Sequence, residues 1–298
     1  MKKLLALLAA TTALAGAASA QGITEFRIGI LGGENAQDRM TSHECFRLMV
    51  ETELGVPVKL FTPADYDGVV QGLLGGTIDF GWLGASAYAK IYLTDPNAVD
   101  VVLTKQNTNG TTGYYSIGFA RRDSGITSLA DTRGKVFAFA DPNSTSGYLV
   151  PAAELSESLG KLDTYFSEVK MSGGHEQSII GVNNGVFAAA VSWADGLGDW
   201  ADGYNSGAFR KAADAGLIDM NNLVEIWRSR LIPEGPIVLR RALPQDVKDK
   251  VTKLVADLHE TDKACAYNVA AGAALDFVPV THEDYLGIIA ARRLQEGM

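Results

Sequence analysis

Short runs in which apolar and polar residues alternate take turns with stretches of helical spacing along most of the chain. Phe26, Ile28 and Ile30 alternate as a strand, and Gly32 and Gly33 turn the chain. Met40, Phe46, Met49 and Val50 then recur as on one face of a helix that reaches Gly55. Residues 56–61 read as the next strand. Thr62 offers a helix N-cap and Pro63 suits the first helical position, with Val69, Val70, Leu73 and Leu74 facing inward and Gly75 and Gly76 as the stop. Residues 77–82 predict a third strand and 85–92 a helix, while 99–103, 115–120 and 135–140 read as further strands. The second half predicts a helix over 146–159, a strand over 168–171, a helix over 176–183 and a strand over 186–193. Strands over 223–227 and 237–240 and an amphipathic helix over 244–258 follow. Repeated β-α units imply an α/β chain with mostly parallel central sheets flanked by helices. No repeat, low-complexity tract or linker interrupts the pattern after residue 22, which favours two lobes joined by crossing strands over two separate beads.

The N-terminus follows a different rule. Lys2 and Lys3 precede an apolar run over residues 4–18, and Ala18-Ser19-Ala20 supplies the small residues of a signal-peptidase site. The run is shorter than the roughly 20 apolar residues that span a bilayer. Export with cleavage after Ala20 is therefore expected, making residues 1–20 a signal peptide and the periplasm the destination. No cysteine stands at that point, which argues against a lipid anchor.

Charge narrows the range of partners. The 298-residue chain has a formal net charge of −9, and loss of Lys2 and Lys3 takes it to −11. With no basic run longer than a pair such as Arg240-Arg241, nucleic acid is excluded as a partner. An anionic ligand would have to be held by local dipoles against the global field. Cys45 and Cys265 permit one disulfide in an oxidising compartment, or two buried thiols.

Candidate chemistry concentrates at strand-to-helix junctions, where α/β folds bind ligands. Asp141-Pro142-Asn143-Ser144-Thr145-Ser146-Gly147 follows a strand and opens a helix. A helix N-terminus exposes unpaired N–H groups, and Ser144, Thr145 and Ser146 add hydroxyl donors, which together make an anion cradle without Lys or Arg. The ordinary alternative is a Ser/Thr N-cap, which needs one hydroxyl rather than three. Tyr66 follows another strand, His175 follows Ser172-Gly173-Gly174, and Tyr114 precedes a strand. Half-buried packing is the plain alternative for each tyrosine, and N-capping or a surface imidazole for His175. Asp195, Asp199 and Asp202 form either a solvated loop or a partner for a cationic ligand tail.

Enzyme signatures do not emerge. Gly29, Gly32 and Gly33 miss the G-x-G-x-x-G spacing. His43, His175, His259 and His282 each precede a Glu, yet none has the second histidine of H-E-x-x-H. No catalytic residue, metal or cofactor is expected.

Four segments carry a resemblance: ADYDGVVQGLLGGTIDFGWLG at 64–84, DPNSTSGYLVP at 141–151, SGGHEQSIIGVNNG at 172–185 and VEIWRSRLIPEGPIVLRR at 224–241. In this order they are similar to the phosphonate-binding proteins of ABC importers, which have the two-lobed periplasmic binding fold with the ligand in the cleft. The resemblance implies that Ser144, Thr145 and Ser146 hold phosphonate oxygens. Tyr66 and Tyr114 would add phenols from the other lobe, and His175 a further contact. It implies an acid for a ligand amine near Asp195, while Glu234 stands one place before the position where a second acid is expected. Lobe 1 would comprise residues 22–120 and 236–298, and lobe 2 residues 121–234, as a monomer that meets a membrane permease. The return of the C-terminal segment to lobe 1 would bring Cys265 near Cys45. Competing readings are a phosphate, phosphite or sulfonate binder, an enzyme on the same fold, and a sensor domain.

Overall fold

In the computed structural model, which describes residues 22–33 and 35–298, the strands are β1 (Phe26–Gly29), β2 (Val58–Phe61), β3 (Phe80–Trp82), β4 (Val99–Gln106), β5 (Gly113–Arg121) and β6 (Val136–Phe139). They continue as β7 (Glu168–Met171), β8 (Ala189–Ala194), β9 (Leu223–Arg228), β10 (Ile232–Pro233), β11 (Pro236–Arg240) and β12 (Asp276–Pro279). One sheet has the order β12-β4-β11-β3-β1-β2; the other has β10-β5-β8-β6-β7, with β9 also on β5. The expected cleavage site lies outside the described residues. No helix of the described residues is long and apolar enough to cross a membrane.

The two-lobed α/β architecture is as expected, but the sheets are mixed. Among the described residues six of ten strand pairings are antiparallel. Parallel pairing is confined to the β-α-β parts, β1 with β2 and β3, and β6 with β7 and β8. The antiparallel character comes from the connections. β4 leads through residues 107–112 into β5, and β10 returns through residues 234–235 into β11. β11 pairs with β4 and β10 with β5, so the outgoing and returning segments are neighbours and must run in opposite directions. β5 belongs to the second sheet, so the boundary expected at residue 120 falls earlier, between β4 and β5.

Each sheet is covered by helices over its own apolar clusters. Phe26, Ile28, Phe46, Phe80 and Val251 are buried in the first lobe, and Phe119, Ala190, Phe209 and Leu223 in the second. Asp79, buried before β3, receives forked hydrogen bonds from Arg27 on β1 and Arg240 on β11 at 2.8–3.0 Å. Cys45 and Cys265 are disulfide-bonded with Cα atoms 5.8 Å apart. The bridge joins the helix Ala36–Leu54 to the helix Lys263–Val269, so the C-terminal segment does return to the first lobe.

One helix start differs from expectation. Thr62 is not the cap: Asp65 accepts from Gly68 N–H at 3.0 Å, and the helix runs Tyr66–Leu74. A carboxylate at the cap satisfies an orphan N–H and suits the positive helix end. The later start places Tyr66 in the first turn.

Candidate ligand-binding site

Where β6 ends, Asp141 folds the chain. Its Oδ1 accepts from Asn143 N–H at 2.7 Å and its carbonyl from Ser144 N–H at 2.9 Å. Its Oδ2 accepts from Tyr66 N–H at 3.3 Å, a bond between the lobes. Burial pushes the Asp141 carboxyl up from its ordinary range. Ser144 caps the next element by accepting from Gly147 N–H at 3.0 Å. Thr145–Leu149 is a wide π turn, and the helix Val150–Leu159 follows.

The three hydroxyls are almost wholly buried, at 1–2% exposure. Thr145 Oγ1 accepts from Ser86 N–H of the first lobe at 2.8 Å. Ser144 Oγ lies 3.1 Å from His175 Nε2, and His175 Nδ1 lies 3.3 Å from Ser192 Oγ on β8. His175 opens the helix His175–Asn183, so its ring is set between two serines on neighbouring elements. Tyr114, edge-on to Trp193, directs its phenol toward Ser146 and Thr145, and burial raises its pKa. Because β5 lies in the second sheet, Tyr114 comes from the same lobe as the three hydroxyls; of the two tyrosines only Tyr66 reaches across.

These side chains line one cavity of about 180 Å³ between the sheets, together with Lys105, Glu234 and a largely apolar remainder that includes Leu83, Trp82, Trp193 and Phe277. Tyr66, Tyr114, Ser144, Thr145, Ser146 and His175 all reach it. Asp195 does not line it. Its carboxylate is buried, with Oδ1 accepting from Leu197 N–H at 3.1 Å. Glu234 does line it, and Gly235 beside it packs so tightly on Leu83 that a Cβ there would meet the Leu83 carbonyl oxygen at 1.8 Å. Lys105 was not foreseen. A lone lysine near the end of a strand carries no sequence signal, and only the pairing of β4 with β11 brings it to the wall.

A family model described as "ABC transporter, phosphonate, periplasmic substrate-binding protein" matches residues 28–285. The chain belongs to this family. It is 28% identical over 287 residues to the phosphate-import protein PhnD of Mycolicibacterium smegmatis, covering 91% of this chain and 86% of that protein. To the phosphonates-binding periplasmic protein of Escherichia coli it is 31% identical over 234 residues, covering 75% of this chain and 63% of that one. Among solved structures, the binding component of an ABC phosphonate transporter from Pseudomonas aeruginosa superposes with a TM-score of 0.76 at 24% identity, covering 91% of this chain and 86% of that one. PhnD1 of Prochlorococcus marinus, solved with methylphosphonate, gives 0.76 at 18% identity, covering 92% and 99%. These two share the fold. The relatives are substrate-binding components of transporters rather than enzymes, so the enzyme reading falls away.

Proposed function

We propose that the chain captures a small alkylphosphonate in the periplasm and delivers it, as a closed monomer, to a membrane permease. Ser144, Thr145 and Ser146 donate to the phosphonate oxygens from the start of the turn, with Tyr66, Tyr114 and His175 completing the shell. The observation that carries this reading is the two-sided cavity: hydroxyl, phenol and imidazole groups together with a largely apolar remainder. A phosphonate is two-sided in the same way, with three oxygens and one carbon on phosphorus. Phosphate would turn a fourth oxygen toward the largely apolar remainder, and wherever that oxygen finds no donor its burial is costly. A cavity of about 180 Å³ suits a phosphonate with a short substituent.

Isothermal calorimetry on ligand-stripped protein tests this, with methylphosphonate, ethylphosphonate, phosphite, phosphate and sulfate. Methylphosphonate and ethylphosphonate should bind at least about tenfold more tightly than phosphate or sulfate, about 1.4 kcal/mol. Tightest binding of phosphate would overturn the proposal in favour of the activity in the mycobacterial relative's name.

A further inference from the structure

The cavity contains a resident ion pair that oxyanion binding does not use. Lys105 on β4 and Glu234 before β11 both line it, and their side chains are only 8% and 10% exposed. Lys105 Nζ lies 2.8 Å from Glu234 Oε1, without hydrogen-bond alignment, and donates to Ser206 Oγ at 2.8 Å. It also stands 5.2 Å from the centre of the Trp193 ring. An ammonium has three N–H donors, so capacity remains beyond these contacts. Among the described residues Glu234 Oε1 is buried without a hydrogen-bond partner. The pair therefore presents a donor and an acceptor beside each other, while its charges cancel.

We infer that Lys105 fills the cation position at Glu234, so that the site takes phosphonates with an uncharged, hydroxyl-bearing substituent and rejects those bearing an amine. The inference rests on the phosphonate reading above. A ligand ammonium reaching Glu234 would share one carboxylate with Lys105 in a buried site, where like charges repel strongly. Asp195 offers no substitute, since it does not line the cavity. A ligand hydroxyl meets no such conflict: it accepts from Lys105 and donates to the Glu234 carboxylate.

Calorimetry with 2-hydroxyethylphosphonate and 2-aminoethylphosphonate tests the inference on the unmodified protein, where folding of a variant is not at issue. The hydroxyl ligand should bind at least about tenfold more tightly. Lys105→Met frees Glu234 and should shift the ratio of the two Kd values at least about tenfold toward the amine. Lys105→Met with Glu234→Gln removes both charges and should bring the ratio within about threefold of one. A merely structural pair would change every Kd together, methylphosphonate included, and leave the ratio where it was; that result overturns the inference. Equal or tighter binding of the amine by the unmodified protein does so as well. If methylphosphonate binds normally in either case, the phosphonate reading stands. If no phosphonate binds, both fall.

Discussion

Thr145 Oγ1 accepts from Ser86 N–H, which leaves the hydroxyl proton to be donated elsewhere. Ser144 is more occupied, since its oxygen both caps Gly147 N–H and meets His175 Nε2. The two side chains should therefore respond differently to truncation. A hydrogen bond to a charged group contributes about 1.5–3 kcal/mol, so Thr145→Ala should weaken methylphosphonate binding about ten- to hundredfold. Thr145→Ser, which keeps the hydroxyl, should recover most of that loss. Ser144→Ala should also lower stability, by about 1 kcal/mol, through the lost cap. Calorimetry and urea unfolding on the three variants check this; unchanged affinity in Thr145→Ala would remove it from the site. Three consecutive hydroxyls after a strand were legible because one suffices for a cap. Lys105 was illegible because nothing local separates it from an exposed strand lysine.

Elements matter here through where they begin and how closely they meet. The shift of one helix start from Thr62 to Asp65 puts Tyr66 into the first turn, where its N–H reaches Asp141 across the cleft. Nearby, the loop after β1 touches the loop before the helix His175–Asn183 at two glycines. A Cβ on Gly174 would lie 2.2 Å from Gly33 Cα. The Gly174 backbone is extended, with φ 170°, so alanine fits the chain itself. Where the lobes part, the added Cβ is relieved of Gly33 and meets only the flexible end of Gln177, so Gly174→Ala should cost the ligand-free protein no more than about 1 kcal/mol. It should weaken binding at least about tenfold, because closure brings the two loops together. Small-angle scattering should show less ligand-induced compaction than in the parent; full compaction would show that the contact does not limit closure.

At the scale of the whole molecule, two antiparallel segments carry the chain between the sheets: β4 into β5, and β10 into β11. Two short crossings restrain sliding yet allow rotation, the arrangement expected of hinge closure. The first lobe is assembled from both ends of the chain. Its disulfide spans 220 residues and closes that lobe covalently. Linking distant positions removes freedom mainly from the unfolded chain, and loss of a native bridge costs about 2–5 kcal/mol. The Cys45→Ser, Cys265→Ser double variant should lose that much in urea unfolding, and reductant should lower the midpoint of the parent but not of the variant. An unchanged midpoint would show that the bridge contributes little.

Properties local to the chain were readable from residue order. The β-α alternation, the hydroxyl-rich start after Asp141-Pro142-Asn143 and the absence of a basic run depend on neighbours a few positions apart, whose side-chain spacing repeats with the backbone. The α/β class followed from them, and so did the likeness that pointed to phosphonates. Other features needed the folded chain because they join residues far apart in sequence. Strand direction at the crossings, the membership of β5, the Cys45–Cys265 bond and the turning of Asp195 away from the cavity are of this kind. The meeting of Lys105 with Glu234 is the clearest case. The two residues are 129 positions apart, and they become neighbours only because β4 and β11 pair in opposite directions. Spacing along the chain encodes which side of an element a residue occupies. Only packing decides what it faces, because that depends on which distant surface covers it.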